Sequence, residues 1–158
     1  MRQSGKNQKR TIAVLLTGLF MVQQTMGLSV FAASTISGVT NGGSGSFNID
    51  PTTKTNGTGF RHYQDFNLGQ GDVANLNFAD INTFVNMVDN QVVINGIVNS
   101  VRGNGFYNGK AVFISPNGMV VGASGVLNVG SLGVYAPNSI DYTNLKNSPS
   151  AATLAEAT

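Results

Sequence analysis

Among the residues of this chain, a histidine and a nearby aspartate are the pair best suited to acid–base chemistry. His62 is the only histidine among the 158 residues, and Asp65 follows it by three positions. Such a pair is half of the arrangement in which a carboxylate orients a histidine that activates a nucleophile. No nucleophile signature accompanies it, so a role for His62 in a turn or at the surface is favoured. The sequence predicts no catalytic residue and no enzyme.

Two further patterns are typical of cofactor sites but are incomplete. Residues 42–46, Gly-Gly-Ser-Gly-Ser, resemble a phosphate loop but lack the lysine that would reach the phosphates, which favours a flexible or capping segment. Asp72, Asp80 and Asp89 are spaced too widely for a calcium loop. One histidine cannot form a histidine metal triad, and without cysteine there are no zinc thiolates or disulfides. The sequence predicts no metal site and no cofactor.

Charge is scarce and unevenly placed. Charged residues make up 10% of the chain, against roughly 25% in an ordinary globular domain. Four of the nine basic residues lie within the first ten positions. From residue 33 onward five basic residues face all seven acidic ones, a net charge of −2. A weakly acidic body without a basic cluster argues against nucleic acid as a partner.

The first 32 residues have the pattern of a secretory signal peptide. A basic segment, residues 1–10, precedes an uncharged apolar run over residues 11–22, and small residues allow cleavage after Ala32 or, alternatively, after Ala33. The other interpretation is a membrane anchor, but Gln23 and Gln24 interrupt the run well short of the roughly 20 residues that a span needs. We expect the Sec machinery to recognise this segment.

Short β-branched runs separated by turn residues follow, from Ser34 to Tyr135. This pattern predicts strands rather than helices. Asn-Gly pairs mark several turns, among them Asn56-Gly57, which with Thr58 is also a formal glycosylation sequon. In the segment from Ser115 to Gly118 proline fits turn position i+1, asparagine fits i+2 and glycine closes the turn.

A spacing of 20 residues links three of these runs. It predicts one core column of Val92, Val112 and Leu132 and a second of Ile94, Ile114 and Val134. Repeats of this length with alternating strands indicate one solenoid coil per repeat. The alternative is a β-sandwich with regular strand lengths. The predicted fold is therefore all-β, a parallel β-helix (solenoid) over residues 33–137.

Two segments complete the predicted organisation. Residues 138–158 are expected to be a polar linker or the start of a longer chain, with a short helix over 150–158. An apolar strand edge left at the end of the last coil is an aggregation hazard, so either this tail covers it or the chain continues. Phe60, Tyr63 and Phe66 are expected to pack in a cap.

Residues 59–68, 94–98, 112–122 and 123–132 resemble the secretion domain of two-partner secretion exoproteins, the haemagglutination-activity domain of filamentous adhesins. The most diagnostic stretch is Val-Phe-Ile-Ser-Pro-Asn-Gly-Met-Val-Val-Gly, residues 112–122, in which Ser115 replaces the family's usual asparagine. The resemblance covers about residues 35–135 and is nearest to the leukotoxin-like branch, in which such a domain opens a very long chain. The matched early segment includes Arg61, His62, Tyr63, Phe66 and Asn67. The matched secretion motif consists of Ser115, Pro116, Asn117, Gly118 and Met119.

The resemblance implies a right-handed β-helix with an N-terminal cap. It also implies that the chain is secreted or displayed at the cell surface after crossing both membranes of a Gram-negative envelope. A dedicated outer-membrane pore would recognise it through periplasmic domains. The expected function is secretion and targeting of an exported adhesin, with β-helix folding nucleated outside the cell. The alternative is a domain that itself binds a ligand on a host-cell surface.

Overall fold

Stacked parallel strands make up most of the molecule. The computed structural model describes residues 32–158, so nearly all of the predicted signal peptide lies outside the described residues. These residues form fourteen strands and two helices. The strands are β1 (Thr35–Ile36), β2 (Ser46–Ile49), β3 (Thr53–Thr55), β4 (Thr58–Tyr63), β5 (Phe66–Leu68), β6 (Val73–Asn77), β7 (Thr83–Val88), β8 (Val92–Ile94), β9 (Ile97–Arg102), β10 (Gly105–Phe106), β11 (Lys110–Ile114), β12 (Met119–Val121), β13 (Val126–Asn128) and β14 (Ser131–Tyr135). The helices are α1 (Ser139–Asn147) and α2 (Ala151–Ala157).

The strands form three sheets, and the chain visits them in turn. The first sheet has the order β1-β5-β8-β12, and the third has the order β3-β4-β7-β11-β14. In the second, β2, β6 and β9 lie in order, and both β13 and β10 pair with β9. From β4 onward each coil contributes one parallel strand to each sheet. The fold is a β-solenoid of about three turns, as predicted.

Side-chain alternation explains why these short runs suit a solenoid. In β6 Ala74 and Leu76 are fully buried, whereas the residues between and beside them are partly exposed. Successive side chains of a strand point to opposite faces, so stacking such strands in parallel places like residues in columns. The inward columns form the main hydrophobic cluster, which includes buried Phe66, Phe84 and Phe113.

The predicted 20-residue register is wrong. Val92 belongs to the first sheet and pairs with Phe66 and Met119, whereas Val112 belongs to the third sheet and pairs with Val85 and Gly133. In the third sheet the stacked positions 58, 83, 110 and 131 are separated by 25, 27 and 21 residues. Coil length varies because corners accept extra residues without shifting the columns. The shared spacing therefore linked strands on different sides of the solenoid.

The six residues predicted to stack have three different environments. Val92 and Ile94 are buried in the main cluster, as expected of core residues. Val112 and Ile114 are also buried, but beneath the C-terminal helices. Leu132 and Val134 lie on the edge strand β14 and are 43% and 44% exposed, because no further strand covers them. They pair with Ala111 and Phe113.

Antiparallel strands close the N-terminal end. β1 runs antiparallel to β5, and β3 folds back on β4 through a turn at Asn56 and Gly57, both with positive φ. That predicted turn is confirmed. The glycine-rich residues 42–46 form the turn that leads into β2, with positive φ at Gly43, Ser44 and Gly45.

The C-terminal segment is a helical strap rather than a polar linker. We use this name for α1 and α2, which lie against the outer face of the third sheet. Asn138 and Ser150 cap the two helices, each accepting hydrogen bonds from backbone N–H groups of the first turn. The buried strap residues are Tyr142, Leu145 and Ala157. The third sheet is therefore covered on both faces.

Neither helix of residues 32–158 is long and apolar enough to cross a bilayer.

Candidate functional site

The predicted secretion motif forms a tight corner between β11 and β12. The backbone N–H of Gly118 donates to the Ser115 carbonyl at 3.0 Å, which closes a four-residue turn. Gly118 has a φ of +72°, a conformation that glycine adopts without strain. The Ser115 hydroxyl accepts from the Asn117 N–H at 3.1 Å. The turn chemistry predicted from the sequence is confirmed.

This corner is hydrogen-bonded to the corner of the coil below. The Ser115 hydroxyl donates to the Asn90 carbonyl at 2.8 Å, and the Asn117 amide donates to the Asp89 carbonyl at 3.0 Å. One coil further down, the Asn90 amide donates to the Asp65 carboxylate at 2.7 Å. Three successive corners are thus joined through side chains, and a change in one corner acts on the coil beneath it.

The single histidine contacts a different acid from the one that the sequence suggested. His62 Nε2 lies 2.9 Å from Oδ1 of Asp89, whereas Asp65 bonds with Asn90 and Ser37. The same Asp89 oxygen accepts from the Tyr142 hydroxyl at 2.9 Å and from Lys146 Nζ at 3.2 Å. Asp89 therefore joins a coil corner to α1.

The contacts of Asp89 change the acidity of two groups. Burial raises the pKa of the Asp89 carboxyl, but its three partners lower it by more, so the net pKa lies below the usual range. Burial raises the pKa of Tyr142, and its bond to Asp89 raises it further. Asp89 is thus ionised and Tyr142 is protonated at neutral pH. This ion pair and hydrogen-bond cluster fastens the helical strap.

Arg61 and Tyr63, from the matched early segment, hold the first coil together. Arg61 donates to the Asp50 carbonyl at 2.9 Å and to the Gly38 carbonyl at 2.8 Å, which anchors the N-terminal segment. Tyr63 is buried and packs edge-on against Phe66 with ring centroids 5.2 Å apart.

Two more aromatic and polar positions complete this segment. Phe60 lies under the helical strap, whereas Tyr63 and Phe66 belong to the core inside the solenoid. The three aromatic residues therefore do not form a separate cap. Asn67 pairs with Thr35 and with Val93 in the first sheet.

The other acidic side chains are dispersed. Asp72 bonds with the Ser34 hydroxyl, and Asp80 with Lys54. Within residues 32–158 no group of three or more histidine, cysteine or acidic residues is close enough to hold a metal ion.

An asparagine ladder on the second sheet was missed by sequence reasoning. Asn48, Asn75, Asn99 and Asn128 occupy one outward column. The side-chain amides of Asn75, Asn99 and Asn128 each donate to the side-chain oxygen of the asparagine in the coil below, at 2.9 to 3.1 Å. Their spacings of 27, 24 and 29 residues are irregular, so no fixed period could reveal the ladder. The signal available was that each of these asparagines is the third residue of its strand.

A groove lies beside this ladder where β13 and β10 diverge above β9. Its volume is about 570 Å³. Polar walls come from Asn99, Asn104 and Asn128, and Phe106 at its rim is 63% exposed. No charged residue lines it. Its chemistry suits an uncharged polar ligand with one apolar face.

Comparison with known proteins yields no relative: no family model, curated protein or solved structure matches the chain. The corners, the helical strap and the groove are therefore the features from which a function can be inferred.

Proposed function

We propose that residues 33–158 are the secretion and targeting domain of an exported β-solenoid exoprotein. A dedicated outer-membrane pore recognises the chain after the signal peptide is removed, and the first coils nucleate folding outside the cell. The support is the solenoid itself together with the low charge of the chain and the resemblance of its 112–122 segment to secretion domains.

Strand addition is the mode of recognition that suits this chain. During export the chain is unfolded, and extended apolar segments such as residues 92–98 add to a sheet edge of the pore's periplasmic domains. In that mode backbone hydrogen bonds supply affinity, and pockets for alternate side chains supply specificity. The folded domain presents the same segment as β8 and β9 with Val92, Ile94 and Val98 buried, so folding withdraws it from the pore.

The observation that carries the proposal is the coupling between successive corners. A solenoid gains stability from each neighbouring interface. Here Ser115 and Asn117 bond to the backbone of the preceding corner. Each coil that emerges is therefore held by the one already folded, which favours outward movement without a nucleotide energy source.

A reporter fused after Thr158 tests the proposal. Gly118→Val places a β-branched residue at a φ of +72°, with strain of about 1–3 kcal/mol. We expect slower export and more periplasmic degradation. Gly103→Val is the matched control, because Gly103 also has positive φ and open space around it but lies in the β9–β10 hairpin, off the coil corners. Equal export of the two variants would remove the support for a corner-driven mechanism.

A second candidate function, direct binding of a surface ligand, is favoured by the groove at Phe106. Phe106→Ala removes the exposed ring without touching a buried contact. If the groove binds, this variant is exported normally but adheres less to target cells. If adhesion is unchanged, the groove has no such role.

A further inference from the structure

The first described residues lie against a coil corner that joins β5 to β6. We name this corner, residues 69–72, the entry corner. The Ser34 hydroxyl accepts a hydrogen bond from the Gly69 N–H at 2.7 Å and donates one to the Asp72 carboxylate. A Cβ on Gly69 would lie 2.5 Å from the Ala32 carbonyl oxygen, so the glycine is what lets the chain pass this closely. The start of the described chain is thus positioned by the entry corner.

The entry corner holds Asp72 in a fixed place. Its backbone N–H donates to the Gly69 carbonyl at 3.2 Å, and its carbonyl accepts from the Ile97 N–H at 2.9 Å. The carboxylate packs against Gly45, where a Cβ would collide with Oδ1 of Asp72. Asp72 is therefore held by neighbouring segments of the solenoid as well as by Ser34.

Asp72 is half-buried and lacks a cationic partner. Among residues 32–158 the side chains that form ion pairs with a base are those of Asp80 and Asp89. The side-chain partner of Asp72 in this part of the chain is the neutral hydroxyl of Ser34. Removing a carboxylate from water without a compensating charge is unfavourable, so a nearby ammonium group would stabilise it.

Signal-peptide removal would create such a group at this place. At the first of the two predicted sites, water adds to the Ala32 carbonyl carbon and the bond to the Ala33 nitrogen breaks. Ala32 leaves as a carboxylate, and Ala33 gains an α-ammonium group. The ordinary pKa of an α-amine is about 7.7–8.0, so this group is charged at neutral pH. Departure of the Ala32 oxygen that packs on Gly69 gives the ammonium group room at the entry corner.

We propose that the entry corner binds the N-terminus that signal-peptide removal creates, with the Asp72 carboxylate paired to the α-ammonium group of Ala33. Ser34, bonded to the same carboxylate, then fixes the start of β1. Cleavage thereby stabilises the first coil, on which the later coils stack. This inference rests on the proposed export function, because export supplies the cleavage.

Stability with and without the terminal charge tests the pairing. Residues 32–158 form one compact unit with its own core, so a chain that begins at Ala33 is compared with the same chain acetylated only at its N-terminal amine. Acetylation removes the charge and puts back an acyl group. In urea it should raise the ratio of unfolded to folded chain by about two- to fivefold, as expected for a partly exposed ion pair.

Two variants make this comparison specific. In Asp72→Asn acetylation should leave the ratio unchanged, because the partner of the charge is gone. Asp80→Asn is the matched control: it removes the exposed acid that pairs with Lys54, and acetylation should act there as in the parent. No effect of acetylation in the parent, or an equal effect in the parent and Asp72→Asn, would overturn the proposal.

Ionisation of the amine tests the pairing without unfolding the chain. A neighbouring carboxylate favours the charged form of an amine and raises its pKa. The NMR shift of the Ala33 methyl group, followed against pH, reports this pKa. We expect it to lie above the ordinary range of about 7.7–8.0 in the parent and within that range in Asp72→Asn. The same pKa in both chains would overturn the proposal.

The exported chain supplies a third test. N-terminal sequencing should read Ala33 as the first residue, and any other first residue would overturn the proposal. Export itself is measured with the Gly118→Val reporter, so a failure of this proposal and a failure of the proposed function are distinguishable.

Discussion

The Tyr142 hydroxyl donates a 2.9 Å hydrogen bond to Oδ1 of Asp89, which joins α1 to a coil corner 53 residues earlier in the chain. Lys146 and His62 contact the same oxygen. Packing of Leu145 and Ala157 holds the helical strap on the sheet, and the Asp89 contacts fix its position. The strap is thus attached both by burial and by charge.

Removing the Tyr142 hydroxyl should loosen this attachment. Tyr142→Phe keeps the buried ring and deletes one donor to a carboxylate. A hydrogen bond to a charged group contributes about 1.5–3 kcal/mol when well shielded, and because Asp89 is partly exposed we expect a loss of about 1 kcal/mol. Urea unfolding measures it. Ile140→Ala, at an exposed position of the same helix, should change the unfolding free energy by less than about 0.5 kcal/mol.

The lowered pKa of Asp89 predicts a loss of stability in acid. Between the folded value and the ordinary carboxyl value near 3.8, the unfolded chain binds more protons, so the free energy of unfolding rises with pH. The stabilisation is complete above that ordinary value and disappears as pH falls through the folded pKa. Asp89→Asn should therefore be less stable than the parent at pH 7 and should approach it below pH 4. A constant difference at every pH would contradict the assignment.

The environments of Val112 and Val134 predict opposite tolerance to charge. Val112→Asp buries an unpaired carboxylate beneath the strap and should cost more than about 4 kcal/mol or prevent folding. Val134 lies on the edge strand β14, so water reaches the carboxylate that Val134→Asp introduces. We expect that variant to fold, with a loss of about 1 kcal/mol or less in the free energy of unfolding. Thermal unfolding followed by circular dichroism distinguishes them, and equal effects would mean that the described register is wrong.

The asparagine ladder should be most sensitive at its middle rungs. Asn99→Ala removes the hydrogen bonds to both Asn75 and Asn128, whereas Asn48→Ala removes one at the end of the column. With net contributions of about 0.5–1.5 kcal/mol for each hydrogen bond, the middle substitution should lower the free energy of unfolding about twice as much. Equilibrium unfolding measures both variants. An equal loss of unfolding free energy would contradict the expected difference between a middle and an end position of the ladder.

Local turn chemistry was predictable, but contacts between coils were not. Pro116 and Gly118 specify their corner because ring geometry and the missing Cβ act within four residues. The partner of His62 could not be read from the chain, because Asp65 is near in sequence while Asp89 is near in space. Coil length decides which corner lies above which, and it varies from coil to coil.

The sequence by itself determined the β-class of this protein and the positions of its main turns. Its solenoid architecture was predicted correctly, but from a 20-residue spacing that does not match the stacked columns. Alternating apolar residues and Asn-Gly pairs act over a few residues, so their meaning survives without knowledge of the fold. Only the tertiary structure decided that Val92 and Val112 lie on different sheets and that residues 139–157 form a strap. It also decided that Val121, Leu132 and Val134 stay open to solvent. Burial depends on which segments stack, and stacking is set by long-range pairing that a fixed period does not encode.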